Sequence, residues 1–192
     1  MATLTPSKPP VFNLPNQLTA ARFVLALVLF VLIEYHLWIA ALVVFGVAAF
    51  TDWLDGFVAR KLNLGSTLGR NLDPLVDKVL ICGAYIFLFS NPHAGLAAWM
   101  VTVVVARELI ITGLRGFMET SGITFGADWL GKIKMVLQCA ALIAIFIALH
   151  TPATALLWIR DILIYAMLTA TALSGLQYLW RAFSILRLDR VG

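Results

Sequence analysis

Four aspartates, Asp52, Asp55, Asp73 and Asp77, fall within 26 residues of a chain of 192 that holds only ten acidic side chains. Carboxylates crowded together repel one another unless positive charge lies between them. Hard divalent cations such as Mg²⁺ or Mn²⁺ prefer oxygen ligands, and four carboxylates are enough for two of them. A two-metal site clamps the attacking and leaving oxygens of a phosphoryl transfer. The plainer alternative is a structural salt-bridge network in which Arg60, Arg70 and Lys78 neutralise the acids.

Helical spacing sharpens the first reading. At ~100° per residue, Asp52 and Asp55 lie about 60° apart on one face. Gly56 and Ala59 follow on that face, so two carboxylates lead into a strip almost without side chains. Small residues there let a phosphate or nucleotide approach the backbone, and Arg60 offers it a bidentate fork. Gly69, Asp73 and Asp77 recur every four residues and form a second ridge. Basic residues gather elsewhere. Arg107 and Arg115 are about 12 Å apart along one helix, and Lys132 and Lys134 open the next. These cations could be interface anchors that snorkel to headgroups, a reading strongest for Lys134 and weakest for Arg107, which lies deep with Glu108 beside it. The other reading is a basic pocket facing the acids, which suits an acceptor that is itself anionic.

The elements that must position these residues follow from composition. Hydrophobic residues make up 61% of the chain and charged residues 12%, where a soluble domain carries roughly 25% charge. That excludes an ordinary soluble fold, and the apolar content excludes disorder. Cys82 and Cys139 lie in long apolar runs and read as small hydrophobes, without a disulfide or zinc site. A bilayer is crossed by about 20 apolar residues, and six such runs are expected near 16–33, 37–62, 72–89, 96–118, 129–149 and 155–183. The expectation is an all-α integral membrane protein, a six-transmembrane-helix bundle. Residues 1–15 form an N-terminal arm, 16–185 the membrane domain and 186–192 a tail. The arm lacks the basic start and apolar stretch of a cleaved signal peptide.

With six spans both termini share one side, and that side receives every Lys and Arg except Arg160. The positive-inside rule makes it cytoplasmic, so the active site faces the cytoplasm. His36, His93 and His150 fall in the opposite turns, which argues against histidine catalysis. The net charge of +4 then reflects orientation and phosphate binding, and no nucleic-acid partner is expected. The short second loop makes the second and third helices expected antiparallel neighbours. Gly46, Ala48 and Ala49 could permit close packing. Trp99, Trp129, Trp158 and Trp180 lie near span ends as interface anchors.

The run Asp52, Asp55, Gly56, Ala59, Arg60, Gly69, Asp73, Asp77 matches all eight positions, with their spacing, of the signature of the CDP-alcohol phosphatidyltransferase family, and the chain resembles that family over most of its length. The resemblance implies a homodimer in which an acceptor hydroxyl attacks the β-phosphorus of a CDP-linked lipid and CMP leaves, with two metal ions bridging the pyrophosphate. It implies that Asp52, Asp55 and Asp73 are metal ligands, and that Asp77 is the general base and also touches metal. Asp52, Asp55, Gly56, Ala59, Arg60 and Gly69 would line the CDP site.

The segments at 13–22, 107–117 and 129–134 resemble those of bacterial members that use sn-glycerol 3-phosphate. That likeness implies CDP-diacylglycerol as donor, the bacterial cytoplasmic membrane as location, and Arg107, Arg115, Lys132 and Lys134 on the acceptor's phosphate. Asn16 and Thr19 would either contact CDP or cap the first helix. Inositol phosphate, serine or phosphatidylglycerol would be alternative acceptors for the same chemistry. A cation transporter is the alternative from another class. Against it, the chain has no convincing repeat, and its acids lie at one end of the spans.

Overall fold

The protein was analysed as a computed structural model that describes the backbone of residues 14–62, 67–120 and 129–188 and the side chains of 17–51, 75–118 and 129–184. Every long element is helical: α1 (Leu14–Glu34), α2 (Trp38–Leu62), α3 (Thr67–Phe89), α4 (Ala98–Thr120), α5 (Trp129–His150) and α6 (Thr154–Leu188). The expected six helices are therefore present. Among the described residues three of them, over Gln17–Glu34, Trp129–His150 and Thr154–Ser184, are long and apolar enough to cross a bilayer, and the described part of α2, Trp38–Thr51, is apolar as well.

Large apolar side chains cover the outside. Val24, Val31, Val43, Phe50, Ile110, Ile162 and Leu176 are exposed, while Ala26, Leu29 and Ile33 on α1 and Ala41, Phe45 and Ala48 on α2 are buried. Helices that are apolar on both faces belong in lipid. The protein is an all-helical membrane protein. Trp99, Trp129, Trp158 and Trp180 are all exposed, as interface anchors must be.

Each helix packs on two neighbours, in the order α1, α2, α5, α6, α4, α3 and back to α1, with α3 also touching α5. Among the described residues α1 packs on both α2 and α3. The expected pairing of α2 with α3 falls where α2 ends and α3 begins, and the side chains there lie outside the described ones. Gly46 is not a close-approach position: it is exposed, with nothing within 4 Å of a Cβ built on it. Ala48 is the residue of that group that faces the core.

Helix ends differ modestly from the expected bounds. α3 begins at Thr67, so Gly69, Asp73 and Asp77 share one continuous helix. α6 continues to Leu188, into the stretch expected as a tail. The turn after α1 is closed by Leu37 N–H donating to Leu32 O and His36 N–H to Ile33 O, with His36 in the left-handed position usually held by glycine.

Between α3 and α4 a short 3-10 helix, Pro92–Ala94, is capped by Asn91, whose side chain accepts from His93 N–H. Arg160 on α6 clamps it. The guanidinium donates to His93 O at 2.6 Å and pairs with Asp161 at 2.7 Å. Trp38, His93, Leu149, Pro152 and Arg160 line one cavity, so the α2 and α6 starts and the α3 and α5 ends meet there. The helices therefore alternate in direction, and Asp77, Arg107, Lys134 and Ser174 lie toward the other end.

Candidate active site

The acidic half of the site rests on helix continuity. α2 runs unbroken through Asp52, Asp55, Gly56, Ala59 and Arg60 to Leu62, and α3 through Gly69, Asp73 and Asp77. The helical spacing on which the two ridges depend therefore holds. The side chains at 52–60, 69 and 73, and that of Asn16, lie outside the described ones. Asp77 is described and half-buried. Its carboxylate acts electrostatically on Lys134 of α5 and on Cys82 of α3.

Among the described residues no three His, Cys, Asp or Glu side chains converge, since three of the four aspartates fall outside. The donor chemistry fits a hard divalent cation, because all four residues are carboxylates. Cys82 and Cys139 are not joined in a disulfide.

The basic half is organised by an acid. Glu108 on α4 is 5% exposed, Lys134 is 6% exposed and Gln138 is 2% exposed. Glu108 Oε1 accepts from Lys134 Nζ and from Arg107 Nη1 at 3.2 Å, and Gln138 Nε2 approaches it at 3.5 Å. Arg107 Nη2 donates to Ser174 Oγ on α6 at 2.5 Å. A Cβ at Gly175 would come within 3.3 Å of the Arg107 stem, so glycine leaves the room that Arg107 needs.

Arg115, two turns along α4, donates to the Tyr178 hydroxyl at 2.7 Å. Its guanidinium carbon lies 5.6 Å from the Tyr178 ring centre, and that of Arg107 lies 5.9 Å away. One tyrosine therefore gathers two guanidinium groups from positions about 12 Å apart on the helix.

These positions decide several alternatives. Lys134 is buried against Glu108, so it does not snorkel to the interface. Thr19 is the sixth residue of α1 and buried, too far inside the helix to cap it. Arg22, one turn on, is also buried. Arg107, Lys134 and, through Tyr178, Arg115 are brought together, whereas Lys132 is exposed. Sequence reasoning did not single out Gln138 or Tyr178 and noted Glu108 only as a neighbour of Arg107. A usable signal was present: Lys134 with Gln138, and Ser174 with Tyr178, are polar pairs four residues apart in otherwise apolar helices.

The sequence profile of CDP-alcohol phosphatidyltransferases matches residues 12–181. The chain belongs to the CDP-alcohol phosphatidyltransferase family. It is similar to a Bacillus subtilis (strain 168) protein named CDP-diacylglycerol–glycerol-3-phosphate 3-phosphatidyltransferase, at 34% identity over 193 residues, covering 92% of this chain and 98% of that one. It is also similar to an Escherichia coli (strain K12) protein of the same name, at 39% identity over 137 residues, covering 68% of this chain and 75% of the relative.

Membership makes this chain a phosphatidyltransferase. It also weighs against the transporter reading, as does the fold. Among the described residues the outer-end acids are Glu34, the last residue of α1, and Asp161, which is engaged by Arg160. Between the two ends lies an apolar layer that includes Leu88, Leu142, Ile145, Phe146, Ile164 and Met167. Among the described residues no chain of acids crosses that layer.

Proposed function

We propose that this phosphatidyltransferase moves a phosphatidyl group from CDP-diacylglycerol to sn-glycerol 3-phosphate, giving phosphatidylglycerophosphate and CMP. The observation that carries the reading is the Lys134–Glu108–Arg107 cluster, which holds two cations suited to a phosphate away from bulk water. An uncharged acceptor gives no reason to bury two cations here. The names of the bacterial relatives support the same acceptor.

Asp52, Asp55, Asp73 and Asp77 would hold two divalent cations, Mg²⁺ or Mn²⁺, which supply Lewis-acid charge against the pyrophosphate oxygens. Asp52, Asp55, Gly56, Ala59, Arg60 and Gly69 receive the CDP group, with Asn16 and Thr19 from α1. Arg107, Lys134, Arg115 and Lys132 receive the acceptor's phosphate. Asp77 takes the proton of the acceptor hydroxyl as that oxygen bonds to the β-phosphorus. The bond from that phosphorus to the bridging oxygen breaks, and CMP leaves with the electron pair. The buried pairings of Arg107 and Lys134 hold the phosphate anchors still, so orientation is set before the substrate arrives.

Six helices are read as six spans in a bacterial inner membrane, with both termini and the site on the cytoplasmic face. This rests on the Lys and Arg bias. A homodimer is the expected assembly, and residues 16–185 the functional domain. Purified protein supplied with CDP-diacylglycerol, labelled sn-glycerol 3-phosphate and Mg²⁺ or Mn²⁺ should form labelled phosphatidylglycerophosphate. Product with serine or inositol phosphate but none with glycerol phosphate would overturn the acceptor assignment.

A further inference from the structure

We infer that Glu108 is a positioning residue for the acceptor: it gathers Lys134 and Arg107 around one carboxylate oxygen and so fixes the two cations that receive the acceptor's phosphate. The inference deepens the proposed function and rests on it.

The geometry is specific. Glu108 Oε1 is the shared acceptor for Lys134 Nζ from α5 and Arg107 Nη1 from its own helix, with Gln138 Nε2 nearby. Two cations this close in a low-dielectric interior would repel and splay apart without a carboxylate between them. Donors remain after this pairing. A lysine ammonium has three N–H groups and a guanidinium five. Lys134 directs one at Glu108, and Arg107 uses Nη1 on Glu108 and Nη2 on Ser174.

Arg107 Nε is buried and has no hydrogen-bond partner among the described residues. A buried donor left unmade is costly. An anion with several acceptor oxygens would satisfy it and the spare ammonium protons together.

A purely structural role would predict something different. It would lower stability, and lower turnover for both substrates alike. A positioning role moves one kinetic constant in particular, because it acts on acceptor binding.

The test uses full-length purified protein in mixed micelles with CDP-diacylglycerol and Mg²⁺. Glu108→Gln keeps the shape and removes the charge. Its KM for sn-glycerol 3-phosphate should rise about 10-fold or more, the scale typical of losing a residue that orients a ligand-binding side chain. Its KM for CDP-diacylglycerol should stay within twofold, and Glu108→Asp should recover part of the loss. In a Lys134→Met background, Glu108→Gln should add much less than it does alone.

An acceptor KM within twofold of wild type in Glu108→Gln overturns the inference, and so do losses that multiply in the double variant. If Glu108→Gln does not fold, the apolar pair Glu108→Met with Lys134→Met removes both buried charges. Its acceptor KM should lie within about threefold of that of Lys134→Met alone, the difference being the partner Arg107 loses, and a further 10-fold loss would count against the inference. Wild-type turnover separates the two claims. Wild type using another phosphorylated acceptor defeats the proposed function, and the same KM comparison on that acceptor then decides Glu108. Wild type using only an uncharged acceptor overturns both.

Discussion

Replacing Tyr178 with Phe removes one hydroxyl and keeps the ring, and its consequence can be worked from the contacts. Tyr178 is buried, its oxygen accepts from Arg115 Nη2 at 2.7 Å, and its ring lies under both Arg107 and Arg115. A hydrogen bond to a charged group contributes about 1.5–3 kcal/mol. Arg115 is exposed, so water replaces part of the lost bond and about 1 kcal/mol of positioning remains to be lost. With tenfold in affinity worth about 1.4 kcal/mol, the KM for sn-glycerol 3-phosphate should rise about fivefold while kcat changes little. Tyr178→Leu also removes two cation–π contacts of about 0.5–1 kcal/mol each, so its KM should rise by about 30-fold. Initial rates with acceptor varied at saturating CDP-diacylglycerol measure both. An unchanged acceptor KM in Tyr178→Phe refutes the reasoning. So does a fall in kcat with equal rises in both KM values, because Tyr178 would then serve packing alone.

Other outcomes follow from the same geometry. Asp77→Asn should abolish turnover, by about 100-fold or more for a lost general base, while membrane insertion is unchanged; near-normal rates would remove the base assignment. Arg115→Ala should chiefly raise the acceptor KM, and an unchanged value would return Arg115 to the role of an interface anchor. Chelation should stop the reaction and added Mg²⁺ or Mn²⁺ restore it, whereas full activity in chelator would end the metal assignment. Gly95→Ala is a control at the far end. Gly95 has φ +74°, and a Cβ there would lie 2.8 Å from the Arg160 guanidinium. A left-handed non-glycine residue costs about 1–2 kcal/mol and a displaced charged hydrogen bond about as much again. The thermal midpoint in detergent should fall with kinetics unchanged; lost activity with an unchanged midpoint would contradict this.

The sequence made some of this legible for physical reasons. Apolar runs near bilayer length mark helices whatever their partners are. On a helix, spacing in sequence is spacing on a face, so Asp52 with Asp55, and Gly69 with Asp73 and Asp77, could be read directly. Packing order was not legible, because loop length shows which helices follow one another and not that α1 packs on both α2 and α3. The Glu108 cluster escaped for a related reason. Glu108 meets Lys134 across 26 positions, and Arg107 meets Ser174 across 67. Three helices must pack before those residues share a site. Lys134 looked like an interface anchor because its helix starts there, and only packing shows it buried.

The most direct test of the central claim follows one atom. CDP-diacylglycerol labelled at its β-phosphorus is given to the purified protein with unlabelled sn-glycerol 3-phosphate and Mg²⁺, and the products are separated. The account predicts label in phosphatidylglycerophosphate and none in the released CMP. Label recovered with the nucleotide, or no labelled phosphatidylglycerophosphate while another acceptor supports turnover, would contradict it.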